Sequence, residues 1–97
     1  MALDPDALER ALTAAFDPAP APGERRVVVR AARDLDDAGV YERDAGRPLT
    51  SDLIVAELAD APDGRLPERW NWWLGALELA YASGYDAFGV QAVERER

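Results

Sequence analysis

The spacing of apolar and polar residues predicts four helices in this chain. The first begins after Asp4, whose carboxylate can cap it, and has Pro5 at the first helical position. Its apolar residues then recur three, four and seven positions apart and so share one face; they are Leu8, Ala11, Leu12 and Ala15. The proline-rich segment 17–23 that follows is a short, stiff connector. It is too short to separate two domains, so residues 1–97 are expected to form a single small helical domain.

The second element, at 24–39, carries signals for both a helix and a strand. Its periodic apolar stretch outruns the usual length of a strand and favours a helix. Three consecutive valines at 27–29 favour a strand instead. The helix is the preferred interpretation. The alternative is an α+β fold in which Arg26–Arg30 and Phe88–Ala92 form a short two-stranded element.

The rest of the pattern predicts two more helices and an extended end. Residues 40–49 are expected to be a charged turn region, and the third helix is capped by Thr50 or Ser51 and must end before Pro62. The fourth helix runs over 66–83, with Gly84 as its stop. The expected fold class is therefore mostly α: a compact bundle of about four helices with an extended C-terminal tail.

The fourth helix contains all three tryptophans of the chain, at positions 70, 72 and 73. With side chains placed about 100° apart, one broad stripe is predicted to face the core; it consists of Trp70, Trp73, Leu74, Leu77, Ala80 and Tyr81. Trp72 falls on the far side with Ala76 and Leu79. Three other short helices are not expected to cover this second apolar ridge as well. We therefore predict a partner interface at Trp72, Ala76 and Leu79, with an isologous homodimer as the commonest arrangement and another protein as the alternative partner.

Charge adds a second feature, since nineteen acidic residues stand against eleven basic ones and give a net charge of −8. Every basic residue is arginine. A charge this far from zero makes a compact chain repel itself unless concentrated salt screens it. The composition is typical of a halophilic protein. A high-GC genome is the alternative explanation, but codon usage accounts for the missing lysine and not for the excess of acids.

The chemistry that the chain can offer is narrow, because it has no histidine and no cysteine. This removes the commonest general base, the usual zinc ligands and every Ser-His or Cys-His nucleophile pair. The segment 34–45 resembles a calcium loop, but Ala38 and Ala45 occupy its fifth and twelfth positions, where side-chain oxygen ligands are needed. We therefore predict no catalytic, cofactor-binding or metal-ligating residue, and carboxylate chemistry is the remaining enzymatic alternative.

These observations favour a non-enzymatic protein–protein interaction module that self-associates through the tryptophan helix. With no signal peptide and no long apolar run, the expected location is the cytoplasm and no membrane contact is predicted. The alternative is a helix-turn-helix-like nucleic-acid-binding protein that uses the basic residues of the second helix, Arg25, Arg26, Arg30 and Arg33. The net negative charge argues against nucleic acid. So does the separation of the second and third helices by residues 40–49, where a turn of about 3–4 residues is expected.

Overall fold

The computed structural model describes residues 3–62 and 64–90, which form five α-helices and one short 3-10 helix. The helices are α1 (Pro5–Ala15), α2 (Pro22–Ala38), α3 (Val40–Ala45), α4 (Ser51–Ala59) and α5 (Leu66–Tyr81), followed by the 3-10 helix Tyr85–Phe88. No strand occurs among the described residues. The predicted class, a mostly α bundle, is confirmed.

The α+β alternative is wrong for the part that the structure describes. Arg26–Arg30 lies within α2, because the apolar periodicity of that segment outweighs the strand preference of its valines. Phe88 ends the 3-10 helix, and the next two residues are neither helix nor strand. The last two positions of the predicted strand Phe88–Ala92 lie outside the described residues.

The helix starts follow the predicted capping chemistry. The Asp4 carboxylate accepts hydrogen bonds from the backbone N–H groups of Asp6 and Ala7, and Pro5 occupies the first turn of α1. The Thr50 side chain accepts one from Leu53 N at the start of α4. These contacts satisfy backbone donors that have no partner within the helix.

The predicted charged turn at 40–49 is wrong in its first half, which forms α3. Glycines in the left-handed region stand at both ends of this helix, with φ of 72° at Gly39 and 76° at Gly46. Tyr41 points inward from α3, is only 4% exposed, and places its ring 5.8 Å from that of Trp73. A six-residue helix is too short to show an apolar period, so turn-forming residues dominate the pattern.

The tryptophan helix α5 ends two residues before the predicted limit, at Tyr81. Its C-cap is Ala82, in the left-handed region at φ 54°, and Gly84 follows at φ 85°. These two residues turn the chain back so that residues 85–90 lie alongside α5.

The core lies where α1, α2, α4 and α5 meet. α1 packs against α2 and α4, while α5 packs against α2, α4 and the 3-10 helix. The fully buried side chains include one from nearly every element; the largest are Trp70, Tyr85, Leu8, Leu12, Leu35, Ile54 and Leu58. None of the helices in 3–62 and 64–90 is both long enough and apolar enough to cross a membrane.

Candidate functional site

The inner face of α5 forms the centre of the core. Trp70 is fully buried and Trp73 is 3% exposed, and their rings meet edge to face with 5.6 Å between centroids. Leu74 and Leu77 are buried on the same side, as the helical spacing predicts. The same prediction is wrong for the last turn of α5, where Ala80 is exposed and Tyr81 is 40% exposed although its ring lies 6.2 Å from that of Tyr85.

The opposite face of α5 carries the three residues predicted to meet a partner. Trp72 is 43% exposed, Leu79 is 92% exposed and Ala76 is exposed as well. The three lie within a narrow sector because they are four and three residues apart. We call Trp72, Ala76 and Leu79 the Trp72 ridge. In the described part of the chain this ridge is in contact with solvent.

The middle of the Trp72 ridge has no large side chain, because Ala76 is adjacent to Gly75. A side-chain carbon added at Gly75 would meet nothing within 4 Å. A glycine inside a helix costs roughly 1 kcal/mol relative to alanine. No atom among the described residues occupies the space that an alanine methyl would take there, so packing within the chain does not explain this glycine.

The polar groups next to the inner tryptophan bind the segment that returns along α5. Trp70 Nε1 donates to the carbonyl of Phe88 at 3.0 Å. The Asn71 side chain pairs with both backbone groups of Val90: Nδ2 donates to the carbonyl at 2.6 Å, and Oδ1 accepts from the N–H at 2.9 Å. Hydrophobic periodicity gives no signal for this clamp, because it joins residues 18 and 19 positions apart through backbone atoms.

A buried tyrosine anchors the start of the same segment. Tyr85 is fully buried, and its hydroxyl donates to Asp44 Oδ2 at 2.9 Å. Burial, followed by this hydrogen bond, raises the pKa of the phenol. The pKa of Asp44 is lowered to about 2, above all by the hydrogen bond that Arg43 Nε donates to it at 3.0 Å. The Asp44 carboxylate therefore stays ionised as the acceptor for Tyr85.

The arginines proposed for nucleic-acid binding divide into two groups. Arg25 is turned inward, where it pairs with Glu9 at 3.4 Å and donates to the carbonyl of Pro20. The other three are exposed, and their four- and three-residue spacing places them on one face of α2: Arg26, Arg30 and Arg33. Within the described part of the chain, no ion pair involves any of these three.

In 3–62 and 64–90 no three acidic side chains converge closely enough to hold a metal ion. The Asp36 carboxylate, which lies within the segment that resembles a calcium loop, instead accepts a hydrogen bond from Leu3 N at 2.8 Å. This contact ties the start of the described chain to the end of α2.

A protein-family model matches most of the chain. It is described as the WNWW domain, and it matches residues 1–78. The four letters of that description are the residues found at 70–73. Neither the curated proteins nor the solved structures include one that matches this chain.

Proposed function

This chain belongs to the WNWW domain family, and from that premise we propose that it is a small cytoplasmic protein–protein interaction module, without enzymatic activity, that self-associates through Trp72, Ala76 and Leu79. The observation that carries the proposal is the exposure of Trp72 and Leu79 on one face of α5, at 43% and 92%. Tryptophan is enriched among the residues that dominate binding energy at protein interfaces. Of the four residues at 70–73, Trp72 is the one whose side chain has neither a hydrogen bond nor an aromatic partner among the described residues.

The order of large and small residues on the Trp72 ridge supports a two-fold symmetric partner. A two-fold axis at the Gly75–Ala76 pair would relate two antiparallel copies of α5. Within one chain, Trp72 and Leu79 are about 10 Å apart along the helix axis, on either side of this pair. Each Trp72 would therefore lie against Leu79 of the other copy. The small residues at the crossing would let the two helices approach to the usual 8–10 Å or closer. The ridge is thus complementary to itself.

Area and charge indicate how strong this association would be. A standard interface takes about 800 Å² from each partner, which is roughly a seventh of the 5617 Å² accessible surface of the described residues. Two exposed side chains supply only part of that area, so a moderate affinity is expected. Each copy carries a net charge of −8, and concentrated salt would screen the repulsion between copies. We therefore expect association to strengthen as KCl is added.

Sedimentation equilibrium of the full chain in concentrated KCl tests this proposal. We expect a dimer for the wild type and a monomer for the double variant Trp72→Ser, Leu79→Ser. The matched control is Tyr81→Ser, because Tyr81 is 40% exposed on the opposite side of the same helix. This control should remain dimeric. A wild type that stays monomeric at about 1 mM, or a ridge variant that still dimerises, would show that the proposal is wrong.

The second candidate function is nucleic-acid binding through α2. The observation that favours it is the shared exposed face of Arg26, Arg30 and Arg33, since phosphate contacts need several cations that face one way. An electrophoretic shift assay across a salt series distinguishes the two candidates. Binding that weakens steeply with salt and is lost on Arg30→Ser would favour this second function. Under the leading proposal no shift is expected, because the net charge repels the duplex.

A further inference from the structure

The segment Gly84–Val90, called the C-terminal segment below, is held towards both of its ends by side chains of α5. Glu78 Oε1 accepts hydrogen bonds from Gly84 N at 2.9 Å and Tyr85 N at 2.8 Å. Trp70 holds the carbonyl of Phe88, and Asn71 holds both backbone groups of Val90. Hydrogen bonds to main-chain groups are a common means by which proteins recognise peptide segments. This face of α5, defined by Trp70, Asn71 and Glu78, is called the clamp.

The clamp also selects particular residues in the segment that it holds. The Tyr85 ring is fully buried, with its hydroxyl on Asp44. At Gly89, an added side-chain carbon would lie 3.2 Å from Asn71 Oδ1 and 3.3 Å from the carbonyl of Asp86. A larger residue there would push the segment away from Asn71. The site therefore fits a segment with tyrosine at one position and glycine four residues later.

The connection between the clamp and its segment is short and strained. Ala82 lies in the left-handed region at φ 54°, which residues with a side chain rarely adopt. Continuing α5 through Ala82 would relieve this conformation and carry the C-terminal segment away from its own clamp. Short, strained connections of this kind favour exchange of an element between identical chains.

The family match covers one side of this contact and not the other. It covers residues 1–78 and so includes Trp70, Asn71 and Glu78, while the C-terminal segment lies beyond it. The receiving face is therefore part of the matched domain, and the segment that fills it lies beyond the match.

We infer that the clamp is a recognition site for a segment of the pattern Gly-Tyr-x-x-Phe-Gly-Val, and that a second copy of this chain supplies that segment in trans when the segment in cis is released from the clamp. A second copy is the occupant that the structure favours, because its segment has the same residues that fit the clamp in cis. The inference does not depend on the Trp72 ridge, because none of the hydrogen bonds that hold the segment involves Trp72, Ala76 or Leu79.

Complementation between two full-length variants tests the exchange. Both carry Trp72→Ser and Leu79→Ser, so that the ridge cannot contribute. One also carries Gly89→Val, which prevents its segment from fitting and leaves its clamp intact. The other carries Asn71→Leu, which removes the hydrogen bonds of its clamp and leaves its segment intact. We expect each to be monomeric alone and the mixture to form a 1:1 dimer near 1 mM, the range of effective concentrations set by a short linker. A mixture that stays monomeric, with both variants folded by circular dichroism, would overturn the inference.

A labelled peptide covering residues 82–90 measures the same site directly on the full chain. We expect it to bind the Gly89→Val chain about tenfold more tightly than the wild type, whose own segment competes. A peptide with Gly89→Val should not bind, and Asn71→Leu in the receiving chain should weaken binding about tenfold through the loss of two hydrogen bonds. Binding that is unaffected by Gly89→Val in the peptide or by Asn71→Leu in the chain would contradict the inference. Trp72→Ser should leave peptide binding unchanged, which separates this result from the outcome for the ridge.

Discussion

Trp70 and Trp72 are two residues apart, yet they lie in opposite environments. Trp70 is fully buried, packs on Trp73 and has its indole N–H bonded to the carbonyl of Phe88. Trp72 is 43% exposed and lies on a ridge with Ala76 and Leu79. The reason is geometric, since residues two apart on a helix project about 200° from each other. A cluster of tryptophans on a helix can therefore serve a core and a surface at the same time.

The largest expected difference between the two faces is in stability. Trp70→Ala should lower the free energy of unfolding by about 3–5 kcal/mol, because it opens a cavity in the core. Trp72→Ala should cost less, about 1–2 kcal/mol, since 43% of the residue is already exposed. Urea unfolding of the two variants at one protein concentration measures both. Equal losses would mean that the two faces are not distinct.

The next effect concerns the hydrogen bonds that Asn71 of the clamp makes with Val90. Asn71→Leu should lower the free energy of unfolding by about 1–3 kcal/mol, because Val90 loses both of its side-chain partners. Hydrogen exchange at the Val90 amide should become faster. Asn71→Asp is the matched control, since it keeps an acceptor for that amide and removes the donor to the carbonyl. Unchanged exchange in the leucine variant would show that the clamp does not hold the segment in solution.

On the outer face, Gly75→Ala should have two effects of opposite sign. The monomer should gain about 0.5–1 kcal/mol in unfolding free energy, because alanine favours helix and its methyl has space. Self-association should weaken, because that methyl lies at the proposed crossing of the two helices. The control is Gly23→Ala in α2, where a side chain also meets nothing within 4 Å. It should stabilise the monomer and leave association unchanged; a loss of association in both variants would contradict the crossing.

The smallest expected effect is at Asp44, the acceptor for the Tyr85 hydroxyl, when the solution is made acidic. The pKa of Asp44 is about 2 in the folded chain against its ordinary 3.8. A lowered pKa means that the ionised carboxylate stabilises the fold above about pH 4, and that this contribution is lost as the pH falls towards 2. The melting temperature of the wild type should therefore fall towards that of Asp44→Asn across this range. A difference between the two that stays constant from pH 5 to pH 2 would be inconsistent with the lowered pKa.

Much of the fold could be predicted from the sequence, because long helices leave a strong periodic signal. α1, α2, α4 and α5 all show it, and the buried positions Trp70, Trp73, Leu74 and Leu77 follow from it. α3 leaves no such signal, since it has six residues and a glycine at each end. Whether the last turn of a helix is covered depends on its neighbours, so spacing alone misplaced Tyr81.

The candidate surfaces divide in the same way. The exposed face of Trp72, Ala76 and Leu79 could be deduced from helical angles, because what matters there is direction. The clamp could not, since Asn71 binds backbone atoms that any residue except proline would provide at position 90. The bond from Tyr85 to Asp44 joins residues 41 positions apart, and no local pattern records such a pair. Specific polar contacts of this kind require the structure.

The most direct test of the self-association proposal uses the absence of cysteine from this chain. A single Ala76→Cys variant places a thiol at the proposed crossing of the two α5 helices, and Tyr81→Cys places one on the opposite side of the same helix. Mild oxidation in concentrated KCl, followed by electrophoresis without reductant, measures how fast each forms a covalent dimer. The proposed two-fold contact predicts rapid, nearly complete cross-linking through residue 76 and little through residue 81. Equal rates for the two variants, or faster cross-linking through residue 81, would contradict it.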